Sequence, residues 1–324
     1  MRCFLPALLL MIVAFTQEHA LAQVMQNMNY EQELQHAKSL LAGETATDIS
    51  HHIHYDLKLY DRDNHQSTAT YDIYRDPAMN QHVEIKAGDY ALMQIANLRD
   101  KKEWLHYTGD KPLKIADFEQ ALDFPRAAVD RFSEETSSVQ TMEPEQLQGA
   151  PLLCANDNNG TAICFHPLIR LFAYAQMFNR TIMYDEWLPI GTHTVPGSIR
   201  IYEGKKLLVE ATGTVETVNK FPEHFMEMPE TPSQADPTTA HKAVRYQPID
   251  ASGASYGNTE IRVSADEKGQ VTKADVIDSD DKRLEGVARK FARNIVFQPQ
   301  VENGQPVPFT SVIYVEYYPR SADE

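Results

Sequence analysis

The chain has 324 residues, of which 42% are hydrophobic, so it can fill ordinary hydrophobic cores. Its formal net charge of −16 at pH 7 predicts an acidic surface, which argues against nucleic acids and anionic lipid headgroups as partners. The length suits two domains better than one.

Residues 1–22 have the pattern of a secretory signal peptide. Arg2 supplies the positive charge at the start, and residues 3–15 are apolar but too few to span a bilayer. Residues 20–22 fit the small-residue rule for cleavage. We therefore expect an exported chain that begins at Gln23 after processing. The alternative is an uncleaved segment that anchors the chain in the inner membrane.

A short helix and five strands are predicted next. Tyr30, Leu34, Ala37 and Leu41 lie at helical spacing within residues 23–44, and Gly43 ends that helix. The following runs alternate between apolar and polar residues and are separated by Asp, Asn, Pro and Gly, which are typical of turns. These runs are 53–60, 67–75, 82–87, 90–98 and 102–107. Together they predict an antiparallel meander.

Two helices should follow the meander. Ile115, Phe118 and Leu122 indicate the first, and Pro125 can open a second one that continues through Val129.

After Cys164, the sequence predicts one more helix and three strands. Residues 167–178 are apolar on two sides, which we interpret as a short buried helix, followed by a strand at 181–187. Residues 198–202 and 206–218 should pair as a hairpin over Glu203 and Gly204.

Cys154 and Cys164 are the cysteines left after removal of the signal segment. In an oxidising compartment a disulfide between them is the default. The segment between them is typical of a hairpin tip, with a loop at residues 158–160 that places a glycine where left-handed backbone is favoured. In that register the two cysteines face each other. A redox-active pair is the alternative, but the sequence has no Cys-x-x-Cys spacing.

The order of a meander, helices and a further hairpin is typical of an open antiparallel barrel with helices laid across it. For residues 45–228 this layout resembles the periplasmic lipoprotein carriers LolA and LolB, with local similarities at Asp76-Pro77 and at Phe225-x-x-x-Pro229. The resemblance implies a lipid or another apolar ligand in the concave face of the sheet. The alternative is that the protein's own side chains fill that face.

The C-terminal part has the order strand, strand, helix, strand. Strands are predicted at 259–265 and 270–277, with a turn at 266–269, and a third strand at 309–318. The helix between them has apolar residues at helical spacing, capped by Ser279, Asp280 or Asp281. These apolar residues are Leu284, Val287, Ala288, Phe291, Ala292 and Ile295.

Residues 244–318 resemble the C-terminal domain of TonB, the energy transducer of Gram-negative cell envelopes. The similarity lies in ordered motifs: Gly257-x-x-Glu260-x-x-Val263, Gly269-x-Val271, Leu284-x-x-x-Ala288, Phe297-x-Pro299 and Asn303-Gly304-x-Pro306-Val307. The resemblance implies an α+β domain and a periplasmic location. It also implies that a short segment of an outer-membrane TonB-dependent transporter binds by adding a strand to an exposed sheet edge.

In this chain, the resemblance implies that the partner segment binds to the edge formed by the last strand. The residues of this edge are Val312, Ile313, Tyr314, Val315, Glu316 and Tyr317. One alternating row should pack on the helix through Phe291 and Ile295. Tyr246, Gln247 and Pro248 stand where the family has a Gln-Tyr-Pro element, and we expect them to contribute a partner contact.

A linker is expected at residues 229–243, which are rich in Pro, Thr and Ser, and a short tail at 319–324. TonB-type energy transduction needs a covalent path from the inner membrane to the sheet, through a long spacer. The short linker and the cleaved signal segment therefore favour an adaptor over an energy transducer.

A histidine cluster is the sequence's one candidate for metal chemistry. His52, His54 and Asp56 would share one face of a strand, with His51 and His65 nearby, but such clusters are usually solvated. We predict no metal and no cofactor. Because the sequence has no nucleophile elbow, zinc-protease motif, phosphate loop or dinucleotide fingerprint, we also predict no enzyme activity.

The sequence thus predicts an α+β, non-enzymatic periplasmic binding protein that engages an outer-membrane TonB-dependent transporter. One alternative is a lipid or lipoprotein carrier in which the C-terminal domain only docks. The other is an envelope structural protein that forms a homodimer through its free sheet edge.

Overall fold

The fold is taken from a computed structural model. The structure describes residues 30–41, 49–61, 63–109, 111–134, 142–147, 150–156, 162–166, 170–177, 180–231, 233, 243–245, 257–279, 281–302 and 305–317. The signal segment and Gly43 lie outside these residues. Among the described residues, no helix combines the length and the apolarity needed to cross a bilayer.

The larger part of the molecule is one antiparallel sheet of twelve strands. Its first strands are β1 (His51–Tyr60), β2 (Gln66–Arg75), β3 (Asn80–Ala87), β4 (Tyr90–Asn97), β5 (Lys102–Thr108) and β6 (Met142–Leu147). Its remaining strands are β7 (Ala150–Asn156), β8 (Ala162–Phe165), β9 (Phe172–Met177), β10 (Arg180–Ile190), β11 (His193–Glu203) and β12 (Lys206–Thr217). The order in the sheet is β5-β4-β3-β2-β1-β12-β11-β10-β9-β8-β7-β6. Because β5 and β6 stand at opposite ends, the sheet stays open.

Two helices accompany this sheet, α1 (Tyr30–Leu40) and α2 (Leu113–Glu134). Alternate residues of β1 are buried because one face of the strand packs on the core and the other faces outward. Helix α2 packs on the inner face of the sheet. Its Phe118 makes edge-to-face ring contacts with Tyr55 and Tyr71, at centroid distances of 5.2 and 5.3 Å.

Two predicted elements in this part were wrong. Residues 113–134 form one helix rather than two, with Pro125 inside it. The buried residues Phe118, Phe124 and Ala128 belong to one core, and the packing of this continuous face outweighs the cost of the proline, about 3 kcal/mol.

The second error concerns residues 167–178, predicted as a helix, of which Phe172–Met177 form strand β9. Its two faces are both apolar because Phe172 and Ala175 join the main core, whereas Tyr174 joins a second buried cluster. A short run buried on both sides has no periodicity that separates a strand from a helix.

The C-terminal part has its own core. It contains β13 (Ala243–Arg245), β14 (Gly257–Ala265), β15 (Val271–Ser279), helix α3 (Lys282–Arg293), β16 (Val296–Phe297), β17 (Gln300–Glu302), β18 (Gln305–Val307) and β19 (Phe309–Tyr317). Strands β15, β14 and β19 form a three-stranded sheet in that order, and β13–β16 and β17–β18 form two small pairs. The predicted α+β class, an open antiparallel sheet with helices plus a small C-terminal unit, is confirmed.

Local signals set the C-terminal fold. Of the three predicted caps, Asp281 caps α3, accepting a hydrogen bond from the Arg283 N–H at 2.9 Å. Gly269 has φ +77°, and a Cβ there would lie 2.0 Å from the Phe297 carbonyl oxygen. Glycine is therefore required in this turn, where the Phe297 N–H also donates to the Gly269 carbonyl at 2.8 Å.

Candidate functional site

The predicted binding strand, β19, lies at the edge of the three-stranded sheet. Its register on β14 places Val315 opposite Thr259 and Ile313 opposite Ile261. Val315 is buried and Ile313 is partly buried, both against the core that contains Ile295. The strand is thus fixed to the core on one face.

The outer edge of β19 is the feature that bears on recognition. Within the part of the chain that the structure describes, β19 pairs with β14 alone. An edge strand in this position presents a row of backbone donors and acceptors to another strand. Tyr246, Gln247 and Pro248 lie outside the described residues. Strand β13, which ends at Arg245, pairs with β16.

The concave face of the large sheet retains a cleft beside α2 with a volume of about 380 Å³. Apolar side chains of the sheet line it, including Ile53, Ile73 and Leu92. Charged side chains line it as well, Arg75 and Glu103 from the sheet and Lys111, Glu119, Asp123 and Arg126 from α2 and the residues just before it. Lys111 donates a hydrogen bond to Glu119. The cleft is therefore amphipathic, whereas the sequence predicted either an apolar cavity or a filled one.

Two tyrosines of the cleft stay neutral over the physiological range. Burial raises the pKa of Tyr55 and of Tyr71 above the ordinary phenol value. The Tyr55 hydroxyl donates to the Pro196 carbonyl oxygen at 2.8 Å, which satisfies this buried polar group.

A polar contact joins the C-terminal unit to α2. The Glu260 carboxylate, 2% exposed, accepts a hydrogen bond from the Leu113 N–H at 2.9 Å. Leu113 is the first residue of α2, where backbone N–H groups lack helical partners and negative charge is favoured. Lys114, also buried, lies 3.5 Å from the Asp278 carboxylate. The two units thus meet at the start of the helix that packs on the large sheet.

Cys154 and Cys164 form the predicted disulfide. They lie opposite each other on β7 and β8, and Ala155 faces Ile163 as the predicted register requires. Both cysteines are buried in a cluster with Leu152. The disulfide therefore links β7 covalently to β8, near the β6 end of the large sheet.

The histidines of β1 meet a carboxylate that the sequence did not associate with them. The Asp72 Oδ1 atom lies 2.8 Å from His52 Nε2 and 2.8 Å from His54 Nδ1. Asp56, the predicted neighbour, lies 3.4 Å from the other ring nitrogen of His54. His65 instead pairs with Asp61, outside this group.

Charge around His54 changes its titration. Burial lowers the pKa of His54, but the hydrogen bond to Asp72 and the negative charges of Asp72 and Asp56 outweigh it, so the pKa is raised. For His51, on the inner face, burial is the main cause of a lowered pKa, against the hydrogen bond to the Ile49 carbonyl.

Asp72 and Glu260 are the polar residues of these sites whose spatial roles sequence reasoning missed. The sequence shows the alternation around Asp72 and the Gly-x-x-Glu motif that contains Glu260. It does not show the register of β2 on β1, or the contact between the C-terminal unit and α2.

The family comparison agrees with the resemblance of the C-terminal part. Residues 242–319 match the family model for the Gram-negative bacterial TonB protein C-terminal. No curated protein matches the chain.

Solved structures with a similar layout cover about 60% of the chain. One is described as an outer membrane lipoprotein-sorting protein domain from Vibrio parahaemolyticus (7% identity, TM-score 0.35, 60% of this chain and 95% of that chain). Another is a LolA superfamily protein from Nitrosomonas europaea (9% identity, TM-score 0.34, 61% and 97%). A third is a DUF1329 family protein from Desulfovibrio piger (9% identity, TM-score 0.37, 60% and 95%).

Proposed function

We propose that this chain is a non-enzymatic periplasmic binding protein whose C-terminal unit engages an outer-membrane TonB-dependent transporter by strand addition at β19. The observation that carries the proposal is the position of β19 at the edge of its sheet, fixed to the core through Val315. Main-chain hydrogen bonds would supply affinity, and alternate side chains would supply selectivity. The match of residues 242–319 to the TonB C-terminal family supports the choice of partner class.

Neighbouring proline substitutions in β19 test the edge. In an antiparallel ladder, backbone N–H groups of successive residues point to opposite sides, so Val312→Pro and Ile313→Pro each remove a different donor. One variant should lose a hydrogen bond to β14 and melt at a lower temperature. The other should remove an outward donor while keeping the sheet.

The readout is capture of solubilised outer-membrane TonB-dependent transporters, identified by mass spectrometry, on the immobilised mature protein. We expect the wild type to capture transporters and the thermally stable proline variant to lose them. Equal capture by that variant would contradict strand addition at this edge. If sedimentation instead shows a wild-type dimer that the same variant dissociates, the edge serves self-association.

A second function is favoured by the cleft beside α2. We infer that an amphiphilic ligand would fit it, because its lining combines apolar side chains with side chains of both signs of charge. Its volume of about 380 Å³ lies within the range of about 300–1,000 Å³ typical of ligand pockets. A lipid carrier would use such a space.

Native mass spectrometry of the purified mature chain tests the carrier function. We expect a lipid-sized adduct in the wild type and its loss in Leu92→Trp, because the indole ring is larger than the leucine side chain and would occupy part of the cleft. Bare protein from both variants, even after incubation with an envelope lipid extract, would exclude the carrier function.

A further inference from the structure

The outer face of the large sheet carries an ordered array of imidazoles and carboxylates. In the registers of β12, β1, β2 and β3, one row reads Glu216, His52, Tyr74 and His82, and the next reads Thr214, His54, Asp72 and Glu84. These residues face away from the core because alternate residues of each strand point to opposite sides. The array is therefore a product of strand pairing and is separate from both the cleft and β19.

We propose that His52, His54 and Asp72 form a binding site for one borderline divalent transition-metal ion, of which Zn²⁺ is the representative. One ligand atom from each residue lies within 4.8 Å of the others. Two imidazole nitrogens and a carboxylate oxygen are a donor set that Zn²⁺ accepts, with bonds of about 2.0–2.2 Å. Ligand atoms of such a tetrahedral ion stand roughly 3.4 Å apart, so small side-chain movements would bring the three residues to bonding distance.

The two histidines are already oriented. His54 directs Nδ1 to Asp72, and its Nε2 lies 3.4 Å from the Asp56 carboxylate. A carboxylate on the second ring nitrogen is the arrangement that holds metal-ligating histidines in place. The His52 ring stacks on Tyr74 with a centroid distance of 4.2 Å and an interplanar angle of 8°.

The environment suits a metal ion with one coordination position that the protein leaves open. The side chains of His52, His54 and Asp72 are 20%, 32% and 17% exposed, so the group is accessible to a small ion but shielded from bulk solvent. Three protein ligands leave a fourth position for water or an external ligand. Tyr74 also contacts Phe225 edge to face at 4.9 Å, so the site adjoins the segment that leaves the large sheet.

Isothermal titration with ZnCl₂ tests the site in the mature chain, purified without a histidine tag and stripped with chelator. We expect one equivalent to bind to the wild type, and His54→Ala and Asp72→Ala each to weaken binding by at least about 100-fold. Asp56→Asn, which changes only the carboxylate behind His54, should weaken it by about 10–100-fold. The matched control is His65→Ala, an exposed histidine outside the group, which should bind as the wild type does.

Melting curves without metal establish that each variant is folded, and the rise in Tm on adding Zn²⁺ gives a second readout. The rise should occur in the wild type and in His65→Ala and be absent in His54→Ala. MgCl₂ should cause no rise, since Mg²⁺ prefers oxygen ligands in octahedral geometry. Absence of Zn²⁺ binding to the wild type, or equal binding by a folded His54→Ala, would overturn the proposal.

Discussion

The two sheets differ in what lies along their exposed edges. At the β5 edge of the large sheet, the Leu105 N–H donates to Ser233 Oγ at 2.9 Å, and Trp104 Nε1 donates to the Thr231 carbonyl at 2.8 Å. At the β19 edge, β14 is the one strand among the described residues that pairs with β19. Unpaired strand edges attract other strands, and proteins usually protect them. The chain thus places its own linker segment along the β5 edge, and the strand addition that we propose uses β19, whose described pairing is with β14.

The largest expected effect comes from core truncation in each unit. Phe118→Ala in the large unit and Phe297→Ala in the small one each remove a fully buried ring, which costs about 3–5 kcal/mol of unfolding free energy. In calorimetry we expect two unfolding transitions. Phe118→Ala should lower the midpoint temperature of one of them, and Phe297→Ala that of the other. If both lower one common transition, the units unfold together and the small sheet cannot be treated as an independent recognition unit.

The contact between the units can be cut at Glu260. Glu260→Ala leaves the buried Leu113 N–H without this acceptor, and we expect a loss of about 1–3 kcal/mol. The substitution should lower the unfolding midpoint of the large unit as well as that of the small unit. Glu260→Gln, which keeps an acceptor oxygen, is the control and should lose less. A loss confined to the small unit would show that the contact does not couple the two.

The cover of the β5 edge can be weakened by Ser233→Ala. The Leu105 N–H then loses its acceptor, so we expect faster hydrogen exchange at this amide and a loss of about 0.5–1.5 kcal/mol. Thr231→Ala keeps the backbone carbonyl that accepts from Trp104 and should leave exchange at Leu105 unchanged. If Ser233→Ala exchanges as the wild type does, the linker segment does not protect this edge.

The smallest effect is expected at a turn motif that the two sheets share. Asp61 Oδ1 accepts from the backbone of Asp63 and His65, and Asp266 Oδ1 accepts from Lys268 and Gln270 in the same way. Burial is the largest single influence on the pKa of Asp61 and raises it, but the hydrogen bonds from the His65 backbone and ring and from the Asp63 N–H together outweigh burial, so the pKa is lowered.

Because the folded pKa of Asp61 is lowered, its stabilising contribution is complete above the ordinary carboxyl value of 3.8 and is lost as pH falls through the lowered one. We therefore expect Asp61→Asn to melt below the wild type at pH 6 and to approach it under strongly acidic conditions. A difference in Tm that stays constant with pH would show that the charge of Asp61 is not involved.

Elements with strong local signals were predictable from the sequence. Alternation of apolar and polar residues identified β1 to β5, and helical spacing with an Asp cap identified α3. The disulfide followed from a short hairpin whose register brings Cys154 opposite Cys164. These features depend on residues close together in the chain, where propensity and turn chemistry act directly.

Tertiary packing decided the features that local signals left open. Pro125 is typical of a helix start, but burial of Phe124 and Ala128 on the same core continues α2 through it. The two apolar faces of β9 became distinguishable only through the two clusters that they contact.

The candidate sites needed the same long-range information. Asp72 faces His54 because β1 pairs with β2 in one register, and Glu260 reaches Leu113 across 147 residues of sequence. The sequence by itself determined the class of fold, the disulfide and the identity of the last strand. Only the tertiary structure placed that strand at an edge and assembled the cleft and the histidine group, because strand partners are selected by packing over the whole sheet.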